Sequence, residues 1–240
     1  MSGGHTLAAF DAELAALRAA IDRMGELVER QVGLALDSLA GPDADIAAEV
    51  LKGDAEIDRL EMEVEAMTVR LLALRQPMAK DLREVVAALK IASNLERMGD
   101  FAGSVAKRAV TLATLPVAPP VASLVRMGRM VQAMIGEMRR AYTQQDADLA
   151  ASVRDCDGEV DAAYTALFRE FLTYMMETPA QISGGTHLLF AAKSIERIGD
   201  HVTNVAENIS FLVKGRLPSD ERRKEDLSSY AVAPPPERGA

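Results

Sequence analysis

Glu96-Arg97-Met98-Gly99-Asp100 recurs 100 residues later as Glu196-Arg197-Ile198-Gly199-Asp200. Upstream, Asp43-Ala44-Asp45-Ile46-Ala47-Ala48 recurs as Asp146-Ala147-Asp148-Leu149-Ala150-Ala151, at an offset of 103. The halves therefore differ by three residues between these landmarks. An internal repeat of this length means two copies of one structural unit. It also separates signal from accident, because a chance surface feature of one half need not appear in the other.

The unit is helical. Leu14, Leu17, Ile21, Met24, Val28, Val32, Leu36 and Leu39 follow one another at steps of three and four residues, the period of a helix with one buried face. Residues 44–75 carry a second stripe of Ile57, Leu60, Val64, Met67, Leu71 and Leu74. Ala40-Gly41-Pro42 breaks the first segment from the second, and Pro77 breaks the second from a third at 79–113. Pro116, Pro119 and Pro120 mark a link, after which the scheme repeats at 121–144, 147–177 and 183–214, with Pro179 in the place of Pro77. Segments of about 30 residues rise roughly 45 Å, and short breaks make neighbours antiparallel. The expectation is an all-α protein of two tandem three-helix bundles, 6–115 and 116–215. A tail at 216–240, rich in charge and proline, is expected to be disordered.

Composition agrees. Of 240 residues, 49% are hydrophobic but only 4% aromatic, and tryptophan is absent. Small and unbranched apolar residues suit helices packed side by side. A net charge of −9 argues against nucleic-acid backbone binding as the main activity. The single cysteine, Cys156, allows no internal disulfide and fits a reducing cytoplasm. The N-terminal residues do not read as a signal peptide, and no run of 18 apolar residues predicts a membrane span.

Recurring carboxylates are the candidate chemistry. On a helical wheel Glu96 and Asp100 share one stripe of the third segment, and Glu196 and Asp200 share the equivalent stripe of the sixth. The opposite face of the sixth carries Ile195, Ile198, Val202, Val205 and Ile209, so Glu196 and Asp200 are expected to point away from the core. Asp54 and Asp58 on the second segment become Asp157 and Asp161 on the fifth. Like charges at i and i+4 repel by a few tenths of a kcal/mol, and Glu96 has no cation at i±3 or i±4. Antiparallel neighbours would bring four carboxylates together in each half. Hard oxygen donors in that number suit Mg²⁺, Mn²⁺, Zn²⁺ or iron, and an open, exchangeable site per bundle is expected. The alternative is a solvated acidic face on a metal-free helical interaction protein. A carboxylate di-iron enzyme would need Glu-x-x-His on two helices, and none of the three histidines has Glu three residues before it. No nucleophile–base pair, Walker loop or glycine-rich nucleotide motif is present, so the chain reads as a non-enzyme. His201 is expected at the edge of the core face, and Arg97 and Arg197 in ion pairs or helix packing. Gly99 and Gly103 should let another helix come close.

Lys80-Asp81-Leu82-Arg83, Leu95 to Asp100, Ser194 to His201, Gly53 to Asp58 and Gln76-Pro77 together resemble the PhoU family, over roughly residues 6–214 and in both repeats. The resemblance implies a cytoplasmic all-helical regulator, peripheral to the inner membrane through its partners. It implies negative regulation of phosphate uptake and of phosphate-starvation two-component signalling. The implied partners are the ATP-binding subunit of the phosphate transporter and a sensor histidine kinase, with homodimeric assembly and no insertion into the membrane. It also implies metal on Glu96/Asp100 and Glu196/Asp200. The chain departs from the family at Asn94 and Ser194, where Asp is frequent, and at Ile182-Ser183-Gly184, where the first half has Asp-Leu-Arg. Metal occupancy is therefore expected to differ between halves.

Overall fold

A computed structural model describes residues 2–41, 44–115, 120–218 and 226–228, the side chains of 2–7 and 44 excepted. The helices are α1 (Ser2–Ala40), α2 (Ala44–Arg75), α3 (Lys80–Ala113), α4 (Ala122–Gln144), α5 (Ala147–Asp155), α6 (Asp157–Glu177) and α7 (Ile182–Lys214), with a 3₁₀ turn at Pro179–Gln181. No strand occurs among the described residues. The expected fifth helix is divided at Cys156, where Asp-Cys-Asp-Gly is a run of weak helix formers. Cys156 keeps near-helical dihedrals (φ −67°, ψ −15°), so α5 and α6 form one interrupted rod. Asp146 caps this rod, its carboxylate accepting from the N–H groups of Asp148 and Leu149 at 2.9 Å. Its repeat equivalent, Asp43, lies outside the described residues.

Helices α1–α3 make one bundle and α4–α7 the other. The two share a single apolar core, because α1 packs on α4 and α3 packs on α7. Both cross-contacts are antiparallel. Across α1 and α4, Gly25 faces Arg139, Gly33 faces Gln132, Gly128 faces Leu36 and Gly136 faces Glu29. Gly25 and Gly33 become Gly128 and Gly136 at the repeat offset of 103, and Leu36 and Glu29 become Arg139 and Gln132. The contact is thus related to itself by a pseudo-two-fold axis, with bare backbone on each helix receiving a side chain of the other. The closest approach is at Gly128, where a Cβ would lie 2.1 Å from Leu36 Cδ2.

Most of the apolar stripes fall where their period puts them. Leu17, Met24, Val28 and Leu36 are buried, as are Ile195, Ile198, Val202, Val205 and Ile209. The α2 stripe stops at Leu71, and Leu74 is exposed at the tip of the hairpin. In the tail, residues 226 and 227 contact the second half. Leu227 N–H donates to Thr165 Oγ1 at 3.1 Å, and Asp226 reaches Lys193.

Candidate functional site

In the first half, α2 and α3 bring Asp54, Asp58, Glu61, Glu96 and Asp100 within electrostatic reach of one another. Burial, then Asp100 and Glu61, push the Glu96 carboxyl up to about 7. Asp54 is raised by burial and by Asp58 and Asp100. Glu61 is raised by burial and by Asp58. Only modest counter-charge offsets this: Arg97 Nη1 lies 3.0 Å from Asp100 Oδ2, and Lys107 acts on Asp54 from nearby. Beneath the cluster runs Gln31 of α1, 4% exposed. Its Nε2 donates to Val50 O at 3.3 Å, while its Oε1 has no hydrogen-bond partner. Gly53 and Gly99 make room for it, since a Cβ would lie 2.5 Å from Gln31 Nε2 at the first and 3.4 Å from Oε1 at the second. Gly99 therefore does admit a neighbour, namely Gln31 together with Ile57 and Asp54.

The second half differs. Asp157 and Asp161 are each 2% exposed and Glu196 is 5% exposed, against the expectation of an open site facing away from the core. Two contacts close it. Helix α6 lies against α7, with the Thr203 hydroxyl 3.2 Å from Asp157 Oδ1 and 3.1 Å from the Gly199 carbonyl. Over the same face sits Lys193, whose Nζ is 2.9 Å from Glu196 Oε1, 3.4 Å from Asp226 Oδ2 and 4.9 Å above the Tyr164 ring. Burial works against the Lys193 ammonium, but the bond and charge of Glu196 hold it above the ordinary lysine range. Burial likewise raises Glu196, against the pull of Lys193. Glu196 Oε2 is buried without a hydrogen-bond partner. Asp200 stands one turn along, close enough to act on Glu196.

The halves thus compensate their carboxylates by different means. At matched positions the first half has Ser93 and the second Lys193, a difference legible in the sequence and absent from the sequence expectations. Gln31 is equally absent from them. Among the described residues, no three carboxylate, imidazole or thiol groups converge tightly enough to hold a metal ion as placed. The first cluster nonetheless has the right chemistry for a hard cation: repelling carboxylates and an orphaned amide oxygen. The second already has an ammonium in contact with its buried glutamate.

Between the two clusters, α3 and α7 meet. His201 Nδ1 lies 2.8 Å from Asn94 Oδ1, which also accepts from Asn204 Nδ2 at 3.3 Å. The ring is tilted against Phe101 at 5.7 Å. Burial lowers the imidazole pKa against the pull of Asp200, and Arg97 and Arg197 lower it further. His201 is thus half-buried at the boundary, held by a helix-packing contact. Arg197 lies over the Phe101 ring at 5.1 Å. Cys156 is exposed as a residue, but partial desolvation of its thiol, then the charges of Glu159, Asp155 and Glu137, raise its pKa, which disfavours the nucleophilic thiolate.

The family model for the PhoU domain matches residues 21–109 and again 124–209. The chain is 46% identical over 226 residues to the phosphate-specific transport system accessory protein PhoU homolog of Caulobacter vibrioides, covering 94% of this chain and 98% of the relative. It is 44% identical to the protein of that name from Zymomonas mobilis, over 93% of this chain and 94% of the relative. Two solved structures superpose on it. The crystal structure of PhoU from Pseudomonas aeruginosa gives a TM-score of 0.84 at 42% identity, over 86% of this chain and 100% of that one. The phosphate transport system regulatory protein PhoU from Streptococcus pneumoniae gives 0.81 at 31% identity, over 88% and 99%.

Proposed function

The chain belongs to the PhoU family, and from that premise we propose that it is an accessory regulator of a phosphate-specific transport system. It works by docking, as an adaptor between the transporter's ATP-binding subunit and a sensor histidine kinase. It holds uptake and starvation signalling down when phosphate is plentiful. The observation that carries the reading is similarity along almost the whole chain, in both repeats, to relatives named as accessory proteins of that system. A rigid body suits such a role, and the two bundles share one core. No helix of the described residues is long and apolar enough to cross a membrane, so contact with a membrane transporter would run through protein. Cytoplasmic placement and a homodimer belong to the same proposal.

The metal reading becomes asymmetric. Asp54, Asp58, Glu96 and Asp100, with Glu61 and the Gln31 amide oxygen, would hold a divalent or iron ion, which would supply positive charge where carboxylates repel. At Asp157, Asp161, Glu196 and Asp200 the Lys193 ammonium already supplies charge, and a metal would have to displace it. The competing metal-free reading is favoured by the lack of a converged ligand set among the described residues. The regulatory role is tested by deleting the gene and following a phosphate-regulon reporter in rich phosphate. Derepression is expected, and unchanged repression with both partners present overturns the role. Elemental analysis of protein purified without chelator tests the metal. About one ion per chain is expected, and none, with no shift of the melting curve on adding Mn²⁺, Zn²⁺ or Fe²⁺, leaves the metal-free reading.

A further inference from the structure

The chain carries a net charge of −9, yet among the described residues one stripe of its surface has no acidic side chain of its own. On the outward side of the α3–α7 contact, α3 presents Lys90, Asn94, Arg97, Phe101, Ser104 and Arg108, and α7 presents Phe190, Arg197, His201 and Asn204. None of these is acidic, although 36 of the 240 residues are. The register is fixed by cross-contacts. Arg197 covers Phe101 at 5.1 Å, Arg108 covers Phe190 at 4.6 Å, and His201 meets Asn94 at 2.8 Å. Lys90, Arg97, Arg197 and Phe190 are exposed. The flanking carboxylates Asp100 and Asp200 lie toward the two acidic clusters, and Asp100 holds Arg97. Arg108 and Arg197 each lie over an aromatic ring, and among the described residues neither has a carboxylate within ion-pair distance. Burial with no compensating charge lowers the Arg108 pKa.

We infer that the α3–α7 seam is a docking surface for an acidic helical segment of a partner protein. The inference rests on the docking role proposed above and names the surface that serves it. Lys90 to Arg108 spans 18 residues, about 27 Å at ~1.5 Å per residue, the length of a five-turn helix. A guanidinium held over a ring has its stem fixed before binding, and its planar fork of N–H groups matches a carboxylate in two-pronged fashion. Arginine and aromatic residues are also the side chains that carry most binding energy at protein interfaces. An anionic membrane surface fits less well. Such surfaces are met by dense clusters of free lysine and arginine and by apolar side chains that enter the bilayer, whereas here Asp100 holds Arg97 and Phe190, the exposed ring of the seam, has Arg108 over it.

The test uses the full chain and a fluorescent, glutamate-rich helical peptide of about 18 residues, followed by anisotropy at low and moderate salt. Wild type should bind, with affinity falling several-fold as salt screens the contact. Arg108→Glu/Arg197→Glu should weaken binding tenfold or more, and Arg108→Gln/Arg197→Gln, which removes charge without adding any, should weaken it several-fold. Arg126→Glu/Arg169→Glu makes the same change in net charge at exposed positions on α4 and α6 and should bind as wild type. Unchanged helicity by circular dichroism shows that each variant folds. Equal loss in both glutamate variants, or none in either, overturns the surface. Binding to anionic vesicles through the seam, with none to the peptide, assigns it to lipid and overturns the proposal. A parallel arm uses the purified transporter ATP-binding subunit. Loss of its binding in the seam variants alone supports the surface. Failure of wild type to bind the subunit overturns the adaptor reading, while the peptide arm still decides the seam.

Discussion

Gly128→Ala should loosen the contact that joins the two halves. The added methyl would sit 2.1 Å from Leu36 Cδ2, 3.0 Å from Cδ1 and 3.1 Å from Cγ, where carbon atoms normally rest about 3.5–4.0 Å apart. The overlap is with the end of a flexible side chain, but Leu36 is 1% exposed and has no solvent to swing into. Relief must come from a poor rotamer or from parting α1 and α4, at about 1–3 kcal/mol. Alanine recovers about 1 kcal/mol of helix propensity, so the net loss is up to about 2 kcal/mol. For a chain of this size that lowers Tm by up to about 8 °C. Gly136→Ala is the control at the same interface. Its methyl would meet Glu29 Oε1 at 3.3 Å and Cδ at 3.8 Å, the end of a partly exposed side chain that needs to shift by only a few tenths of an ångström while keeping its Arg139 partner, so stability should hold or rise by up to about 1 kcal/mol. Leu36→Ala alone should cost about 2–5 kcal/mol, and adding Gly128→Ala to it should cost nothing more, because the methyl fills vacated space. Thermal and urea melts of the four variants check this. A Gly128→Ala protein as stable as Gly136→Ala, or costs that simply add in the double variant, would refute the packing argument.

Glu96→Gln should stabilise metal-free protein at pH 8 and do nothing near pH 4. The folded carboxyl titrates near 7 against an ordinary 4.5, so between those values the folded state binds more protons than the unfolded state. Stability of the wild type therefore falls as pH rises through that window, and the penalty is complete above it. The unscreened shift corresponds to about 3.4 kcal/mol, which solvent at this half-open site reduces to about 1 kcal/mol. Urea melts from pH 4 to 8 in chelator decide it, and a gap that does not widen with pH counts against the cluster. Lys193→Ala should destabilise by about 1–3 kcal/mol, because Glu196 loses its counter-charge where it is buried, and Glu196→Gln in the same chain should restore part of the loss. Asp100→Ala should abolish metal uptake measured by elemental analysis. Asp200→Ala should leave it nearly unchanged, and equal losses would mean that both halves hold metal.

The repeat and the helical period were enough to place the helices and to pair Glu96 with Glu196. They also placed Asp54 and Asp58 near Glu96 and Asp100, because antiparallel neighbours joined by a short turn must lie side by side. They misjudged burial. A wheel drawn for α7 shows one apolar face and leaves Glu196 on the other, but α7 is covered on two sides, by α3 and by α4 to α6, and Lys193, Asp226 and Leu227 complete the cover. The Ser93/Lys193 difference and the glycines at offset 103 were legible too, but nothing local says what a glycine makes room for.

The sequence by itself therefore determined the helical class, the duplication, the breaks and the identity of the acidic pairs. Each of these follows from residues within one helix or from one half repeating the other. Tertiary structure decided which cluster stays open, which is neutralised by a lysine and held by residues 226–228, and that α1 meets α4 and α3 meets α7 about a pseudo-two-fold axis. Those outcomes depend on contacts between residues far apart in the chain, such as Leu36 with Gly128 and Asn94 with His201. Helical periodicity reports which face of a helix is apolar. It carries no information on how many neighbours that helix has, and the number of neighbours is what sets the dielectric around a carboxylate and so its charge.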